Sequence, residues 1–228
     1  KSILNQSYKN WKLLIVDDCS NSKTRKILKK YLKNKKIKIL WLKKNKGAAY
    51  CRNLALKKIK SPYVAFIDSD DLWKKNKLKF QINFMKKNNI MFSYTNYETF
   101  DLKFKFIKPP EKFTFLEFTK NTSIGTSTMM LNRKIIKNAK FTNTKICEDY
   151  YFKCKILKYV GKAHCLKKYL TKYRIRVDSL QSNNLVNFFW IWKINRDYNN
   201  FNILENMISL FFISFNSLKK YGLKSSFN

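Results

Sequence analysis

Short apolar runs and longer amphipathic stretches take turns along the first hundred residues. The pattern predicts strands near 12–17, 37–42, 63–67 and 91–96, with helices near 22–34, 48–59 and 74–88 between them. Leu13-Leu14-Ile15-Val16 and Val64-Ala65-Phe66-Ile67 carry no polar alternation, which is how a strand buried on both faces reads. Strand and helix in alternation predict an α/β architecture, a mostly parallel sheet flanked by helices. Local signals mark the helix starts: Ser20-Asn21-Ser22 offers caps, and Gly47 supplies a turn. After Pro109-Pro110 the rhythm changes to a short helical piece at 115–120, a Ser/Thr-rich strand near 126–131 and a helix from Glu148-Asp149.

The tail from Asn187 is aromatic with helical spacing. Its densest stretch, Met207 to Ile213, is too short for a bilayer span of ~18 or more residues, so it is expected to pack on the domain as a core helix. The alternative is an interfacial helix with Lys219, Lys220 and Lys224 at the headgroups of an anionic membrane. The expected organisation is one domain over 1–180 and a C-terminal helical extension over 181–228.

The 49 Lys and Arg against 14 Asp and Glu, a formal charge of +35, open a nucleic-acid reading. The lysines are spread along the whole chain and no nucleic-acid motif accompanies them, so no nucleic-acid partner is expected; a basic nucleic-acid-binding protein stays as the rival class. The five cysteines have neither zinc-site nor CxxC spacing and read as reduced thiols, which points to a cytoplasmic protein, at most peripheral at the inner face of the membrane.

Against this basic background seven of the 14 acids fall in three clusters: Asp17-Asp18, Asp68-Ser69-Asp70-Asp71 and Glu148-Asp149. The first two end apolar strands, and open α/β sheets bind ligands at the carboxyl ends of their strands. Asp68 and Asp70 lie one residue apart in an extended segment, so both can address one hard cation such as Mg²⁺ or Mn²⁺; the bland reading is a helix cap. Asp17-Asp18 can accept hydrogen bonds from a sugar or a base, or cap the next helix. Asn45-Lys46-Gly47 opens a helix carrying Arg52-Asn53, a combination able to hold a diphosphate. Glu148-Asp149 can supply a general base or merely favour a helix N-terminus. His164, the single histidine, carries no argument.

Taken together, Ser2 through Tyr8, Leu14-Ile15-Val16-Asp17-Asp18-Cys19-Ser20, Asn45-Lys46-Gly47 through Arg52-Asn53, Tyr63 through Trp73, Glu148-Asp149-Tyr150 and Tyr173-Arg174 to Ser179 closely resemble family 2 glycosyltransferases with a GT-A fold, particularly bacterial enzymes of surface-polysaccharide assembly. The resemblance implies an inverting, metal-dependent transfer from a nucleotide-diphosphate sugar to a hydroxyl of a glycan or lipid-linked sugar acceptor. It implies Asp17, Asp18, Arg52, Asp68 and Arg174 at the nucleotide sugar, Asp70 with Asp68 at Mn²⁺ or Mg²⁺, Asp149 as base with Glu148 beside it, and Trp73 on the acceptor side. Arg174 and Ser179 fall in a segment that closes over the donor in such enzymes. Family members begin with a strand ahead of the segment matched by Lys1-Ser2-Ile3, so the first strand is expected to be missing, and a catalytically impaired nucleotide-sugar-binding relative is the nearest alternative. The absence of a QxxRW-type signature favours transfer of one sugar per encounter.

Overall fold

The computed structural model describes residues 1–136, 139–144, 146–176 and 184–221. The first half follows the predicted order with one short strand, β4, added between the third strand and the third helix: β1 (Leu13–Asp17), α1 (Ser22–Lys29), β2 (Ile37–Trp41), α2 (Ala48–Lys58), β3 (Tyr63–Ala65), β4 (Leu72–Trp73), α3 (Lys77–Lys87) and β5 (Phe92–Asp101). The second half adds β6 (Lys105–Ile107), β7 (Lys112–Thr114), α4 (Phe115–Lys120), β8 (Met130–Asn132), α5 (Glu148–Val160), β9 (Lys162–Ile175), α6 (Asn184–Asp197) and α7 (Ile203–Tyr221). The 181–228 boundary begins outside the described residues, as does Ser179.

α1 stops at Lys29, short of the predicted Asn34. None of its residues is buried, so no tertiary packing holds a further turn of this lysine-rich segment. α4 opens with a capping box: Thr114 Oγ1 accepts from the Glu117 N–H, and the Glu117 carboxylate accepts from the Thr114 N–H.

The α/β class holds, but the expectation of a mostly parallel sheet is corrected. β1 and β2 pair in parallel as a separate two-stranded sheet, with Leu13 opposite Ile37. The larger sheet runs β3-β8-β5-β9-β4, with β6 on β5 and β7 on β9, and among the described residues only its β5–β9 pair is parallel. β8 is antiparallel to both β3 and β5, so those two share a direction, as the alternation implies; a strand from later in the chain enters between them. Pattern fixes the direction of such strands, while their neighbours depend on contacts distant in sequence.

The main core gathers Val64, Phe92, Tyr94, Leu131, Phe152, Ile156 and Ile194, so α6 shares it with the sheet. Phe141 and Phe152 stack at 4.0 Å between centroids, with Phe66 edge-on to both. A second cluster under α3 holds Trp73, Leu78, Ile82 and Met85. The N-terminal segment is tied to it by Gln6, whose Nε2 donates to the Lys74 carbonyl at 2.9 Å and whose Oε1 accepts from the Leu78 N–H at 3.1 Å.

Candidate active site

The Asp17-Asp18 pair at the end of β1 divides. Asp17 does not open toward a ligand: its carboxylate is 1 % exposed and pairs with Arg25 Nε at 2.9 Å, while Arg25 Nη2 donates to the Leu42 carbonyl at 2.7 Å. The nucleotide contact expected of Asp17 gives way to anchoring α1 against the β1–β2 sheet. Asp18 turns the other way and accepts from the backbone N–H groups of Lys46 and Gly47 at 2.6 and 2.8 Å. Gly47 sits at φ +84°, where L side chains are strained, and opens α2. Two amides of that loop, anticipated for a diphosphate, are therefore taken by Asp18. Its carboxylate also raises the pKa of the neighbouring Cys51, after burial, which is the larger cause.

One turn into α2, Arg52 joins the other two acidic clusters. Its Nη2 donates to Asp68 Oδ1 at 2.7 Å and its Nη1 to Glu148 Oε1 at 2.6 Å. Burial opposes the guanidinium charge, but Asp68, Asp149 and Glu148 outweigh it and hold Arg52 fully protonated. The guanidinium lies over the Phe141 ring at 5.3 Å. Next to it, Asn53 exchanges two 2.8 Å hydrogen bonds with the backbone of Phe141, one through each end of its amide. The Arg52-Asn53 dipeptide thus clasps the segment that stacks on Phe152.

The Asp68–Asp71 loop is braced from beneath. Ser127 Oγ accepts from the Asp68 N–H at 3.0 Å, and the Ser127 carbonyl accepts from Trp73 Nε1 at 2.8 Å. Asp70 Oδ2 lies 3.3 Å from Arg176 Nε, and the Asp70 carbonyl accepts from Arg174 Nε at 3.2 Å. Arg174 also donates its backbone N–H to Asp71 Oδ1 at 2.9 Å and its Nη1 to Asp101 Oδ2 at 2.6 Å. Asp71 Oδ2 is buried with no hydrogen-bond partner. Burial, reinforced by Asp68 and Asp70, raises Asp71 to about 7, against the Ser127 hydroxyl and the Arg174 N–H.

Glu148 and Asp149 open α5 behind Cys147, a non-glycine residue at φ +61° that turns the chain into the helix. Both polar contacts of Asp149 fall on Oδ2: the Thr126 hydroxyl donates at 2.9 Å and Lys153 Nζ at 2.6 Å. Neither of these two contacts occupies Oδ1. Burial disfavours the Asp149 charge, but Lys153, Arg52 and Thr126 outweigh it and depress the pKa. Glu148 moves up instead, through burial and then Asp149, with Arg52 opposing. Two adjacent carboxyl groups are thus pushed in opposite directions.

The side chains of Asp68, Asp70 and Asp71 offer only oxygen, and Asp71 Oδ2 is buried without a hydrogen bond. Oxygen donors suit Mg²⁺ or Mn²⁺. No group of three or more His, Cys, Asp or Glu among the described residues is arranged to hold a metal ion, so any cation here would have to take most of its shell from water and phosphate.

Trp73 is not brought to this cluster. It is 8 % exposed in the second core, with the Lys77 ammonium 4.4 Å from its ring, so in place of the expected acceptor contact it supports the Asp68–Asp71 loop through Ser127. Asp71, Thr126, Ser127, Arg176 and Lys153 carry geometry that the sequence reading assigned to no role. Two of them had a usable signal: Asp71 in its place in the second acidic cluster, and Lys153 in its i, i+4 spacing from Asp149 on a helix.

These features define a GT-A type glycosyltransferase, with acidic residues from strand ends and from one helix start joined through an arginine. The chain belongs to glycosyl transferase family 2, whose model matches residues 1–152. It is 38 % identical over 187 residues to TuaG of Bacillus subtilis, a glycosyltransferase whose name assigns it provisionally to teichuronic acid biosynthesis, covering 80 % of this chain and 74 % of TuaG. It is also 38 % identical over 203 residues to Escherichia coli WfgD, covering 86 % of this chain and 78 % of WfgD, which is named a UDP-Glc:alpha-D-GlcNAc-diphosphoundecaprenol beta-1,3-glucosyltransferase. The fold matches residues 1–349 of Staphylococcus aureus TarS in complex with UDP-GlcNAc, at a TM-score of 0.71 and 20 % identity over 98 % of this chain and 71 % of that one.

Proposed function

We propose that the chain transfers a sugar, with inversion, from a nucleoside diphosphate sugar to a hydroxyl of a lipid-linked glycan acceptor during cell-surface polysaccharide assembly. The observation that carries this reading is the Arg52 bridge, which brings the Asp68–Asp71 loop and the start of α5 to opposite ends of one guanidinium. The names of the relatives support a uridine diphosphate sugar as donor and a polyprenyl-diphosphate sugar as acceptor.

In this reading Asp149 Oδ1 takes the proton of the acceptor hydroxyl as its oxygen bonds to the anomeric carbon. The bond from that carbon to the diphosphate breaks on the opposite face, and its electron pair leaves with the nucleotide. One displacement inverts the carbon. Arg52 keeps three guanidinium N–H groups beyond its two ion pairs and offers them to the diphosphate. Asp18, beside the opening of α2, would accept from the nucleoside through lone pairs its two amide contacts leave, and Arg174 fixes the loop that carries Asp70. Asp68 and Asp70 would hold Mn²⁺ or Mg²⁺, which when bound neutralises charge on the diphosphate.

The test is thermal stability with UDP-glucose and UDP-N-acetylglucosamine, with and without Mn²⁺, on the parent chain, Asp70→Ala and Asp149→Asn. A ligand bound only by the folded state raises the midpoint. The parent should shift only when sugar nucleotide and Mn²⁺ are both present, Asp70→Ala should lose the Mn²⁺-dependent part, and Asp149→Asn should keep the shift while losing transfer. Undiminished transfer by Asp149→Asn refutes its role as base.

A further inference from the structure

α7 is turned inside out relative to an ordinary surface helix. The side it buries holds Asn206 and Ser209, 0 and 1 % exposed, together with Ile213. Their polar groups are satisfied. Asn195 Nδ2 donates to Asn206 Oδ1 and to Ser209 Oγ at 3.1 Å each, Asn206 Nδ2 donates to the Trp192 carbonyl at 3.0 Å, and Ser209 Oγ donates to the Thr119 carbonyl at 2.6 Å. Tyr150 Oη donates to Asn195 Oδ1 at 2.8 Å, so the network reaches α5. Rotating α7 to bury its other side would strand these groups without partners, so the network fixes which side faces out.

That outward side is apolar. Leu204, Met207, Phe211 and Phe215 are 56 to 66 % exposed, and Ile208 and Phe212 lie on the same stripe, at intervals of three and four residues. Such a contiguous apolar stripe on a surface marks an interaction site. Its border is cationic: Lys219 is exposed in the last turn, Lys120 Nζ lies 5.7 Å from the Phe212 ring, and Lys105 Nζ donates to the Lys220 carbonyl at 3.2 Å. The one acid of the helix, Glu205, is engaged in capping, where it accepts from the Asn202 N–H at 2.8 Å.

We infer that this side of α7 docks on an anionic lipid bilayer, with Leu204, Met207, Phe211 and Phe215 among the acyl chains and Lys105, Lys120 and Lys219 at the lipid phosphates. Charge selects this occupant over a second copy. Two chains each carrying +35 would meet with lysines opposed around the stripe, whereas anionic headgroups complement them. No helix among the described residues is long and apolar enough to cross a membrane, so the contact is one of lying on the surface. The inference extends the lipid-linked acceptor reading to a surface outside the candidate active site, and its test uses vesicles without acceptor, so either can fail alone.

The whole chain is sedimented with vesicles of equal parts phosphatidylglycerol and phosphatidylcholine, with phosphatidylcholine vesicles as control, at low and high salt. The variant L204S/M207S/F211S/F215S keeps the net charge and every residue of the candidate active site. It should bind the anionic vesicles roughly tenfold or more weakly than the parent, with the same circular dichroism and the same sugar-nucleotide shift. The parent should retain part of its binding at high salt. As a second measure, Phe211→Trp should show stronger quenching by bromine-labelled lipid than the parent chain. Equal binding by parent and variant would reduce the attraction to charge alone and overturn the inference. So would a parent that ignores vesicles, whether it sediments as a monomer or as a dimer that the variant breaks.

Discussion

Arg52 and Glu148 lie 96 residues apart in the chain and 2.6 Å apart in the fold. The same guanidinium reaches Asp68, so one side chain couples the first half of the molecule to the second. Removing one partner of such a pair leaves buried charge uncompensated, at a cost of about 3 kcal/mol. Arg52→Ala should lower unfolding stability in urea by that order and abolish the sugar-nucleotide thermal shift. Arg52→Lys keeps the charge but cannot fork between two carboxylates, so it should recover part of the stability and little of the binding.

Asp149 is held ionised by Lys153, so transfer should be flat through neutral pH and fall only as the medium becomes acid enough to protonate the base. Lys153→Met removes the largest favourable charge, and the acid limb of the pH–rate profile should move to higher pH. Because the folded pKa lies below that of an unfolded aspartate, the stability Asp149 contributes is present above the unfolded value and lost as pH falls through the folded one. Asp149→Asn should cut transfer by about 10²–10⁴. A rate profile unmoved by Lys153→Met would contradict the electrostatic account.

Asn53 satisfies both backbone groups of Phe141. Asn53→Leu strands that N–H and C=O at a half-buried site, which should cost about 1–3 kcal/mol in urea unfolding. The Phe141 ring under Arg52 should then move, visible as reduced sugar-nucleotide binding with Asp149 untouched.

Lys77 is fully enclosed, donates to Gln81 Oε1 at 2.7 Å, and is brought down to about 7 by burial. The Trp73 face at 4.4 Å offsets part of that effect. Between the folded and unfolded pKa the unfolded chain binds more protons, so stability should rise with pH across that window. Lys77→Met should therefore gain thermal stability relative to the parent most at pH 6 and progressively less toward pH 10. A gain that does not change with pH would show the lysine to be as protonated in the folded chain as in the unfolded one, its pKa not lowered by burial.

The carboxylates were legible because they are scarce in this chain and because apolar runs end at them. Asp68 and Asp70 could be singled out on that basis, Asp149 by its place in the third cluster at a helix start and Arg52 by the glycine-opened helix that carries it, and the structure ties Asp68, Arg52 and Glu148 directly. The split between Asp17 and Asp18 was not legible, since it depends on Arg25 reaching back from α1 to one of two adjacent acids. The burial of Trp73 was not legible for a related reason: an aromatic after an acidic loop reads alike whether it faces a ligand or a core. Ser127 and Thr126 lie in a Ser/Thr-rich stretch where nothing local distinguishes a hydroxyl that braces the site from its neighbours.

By itself the sequence determined the strand–helix order of the first half apart from the short β4, the directions of β3 and β5, and the acidic strand ends, because these follow from backbone periodicity and local turn chemistry. Tertiary structure alone decided that β8 enters between β3 and β5 and that Arg52 closes on two carboxylates. It also decided that α7 rests on the domain by Asn206, Ser209 and Ile213 rather than by its phenylalanines. Periodicity says which side chains share a face, but what that face meets depends on groups brought from elsewhere in the chain and on which polar atoms they leave to be satisfied.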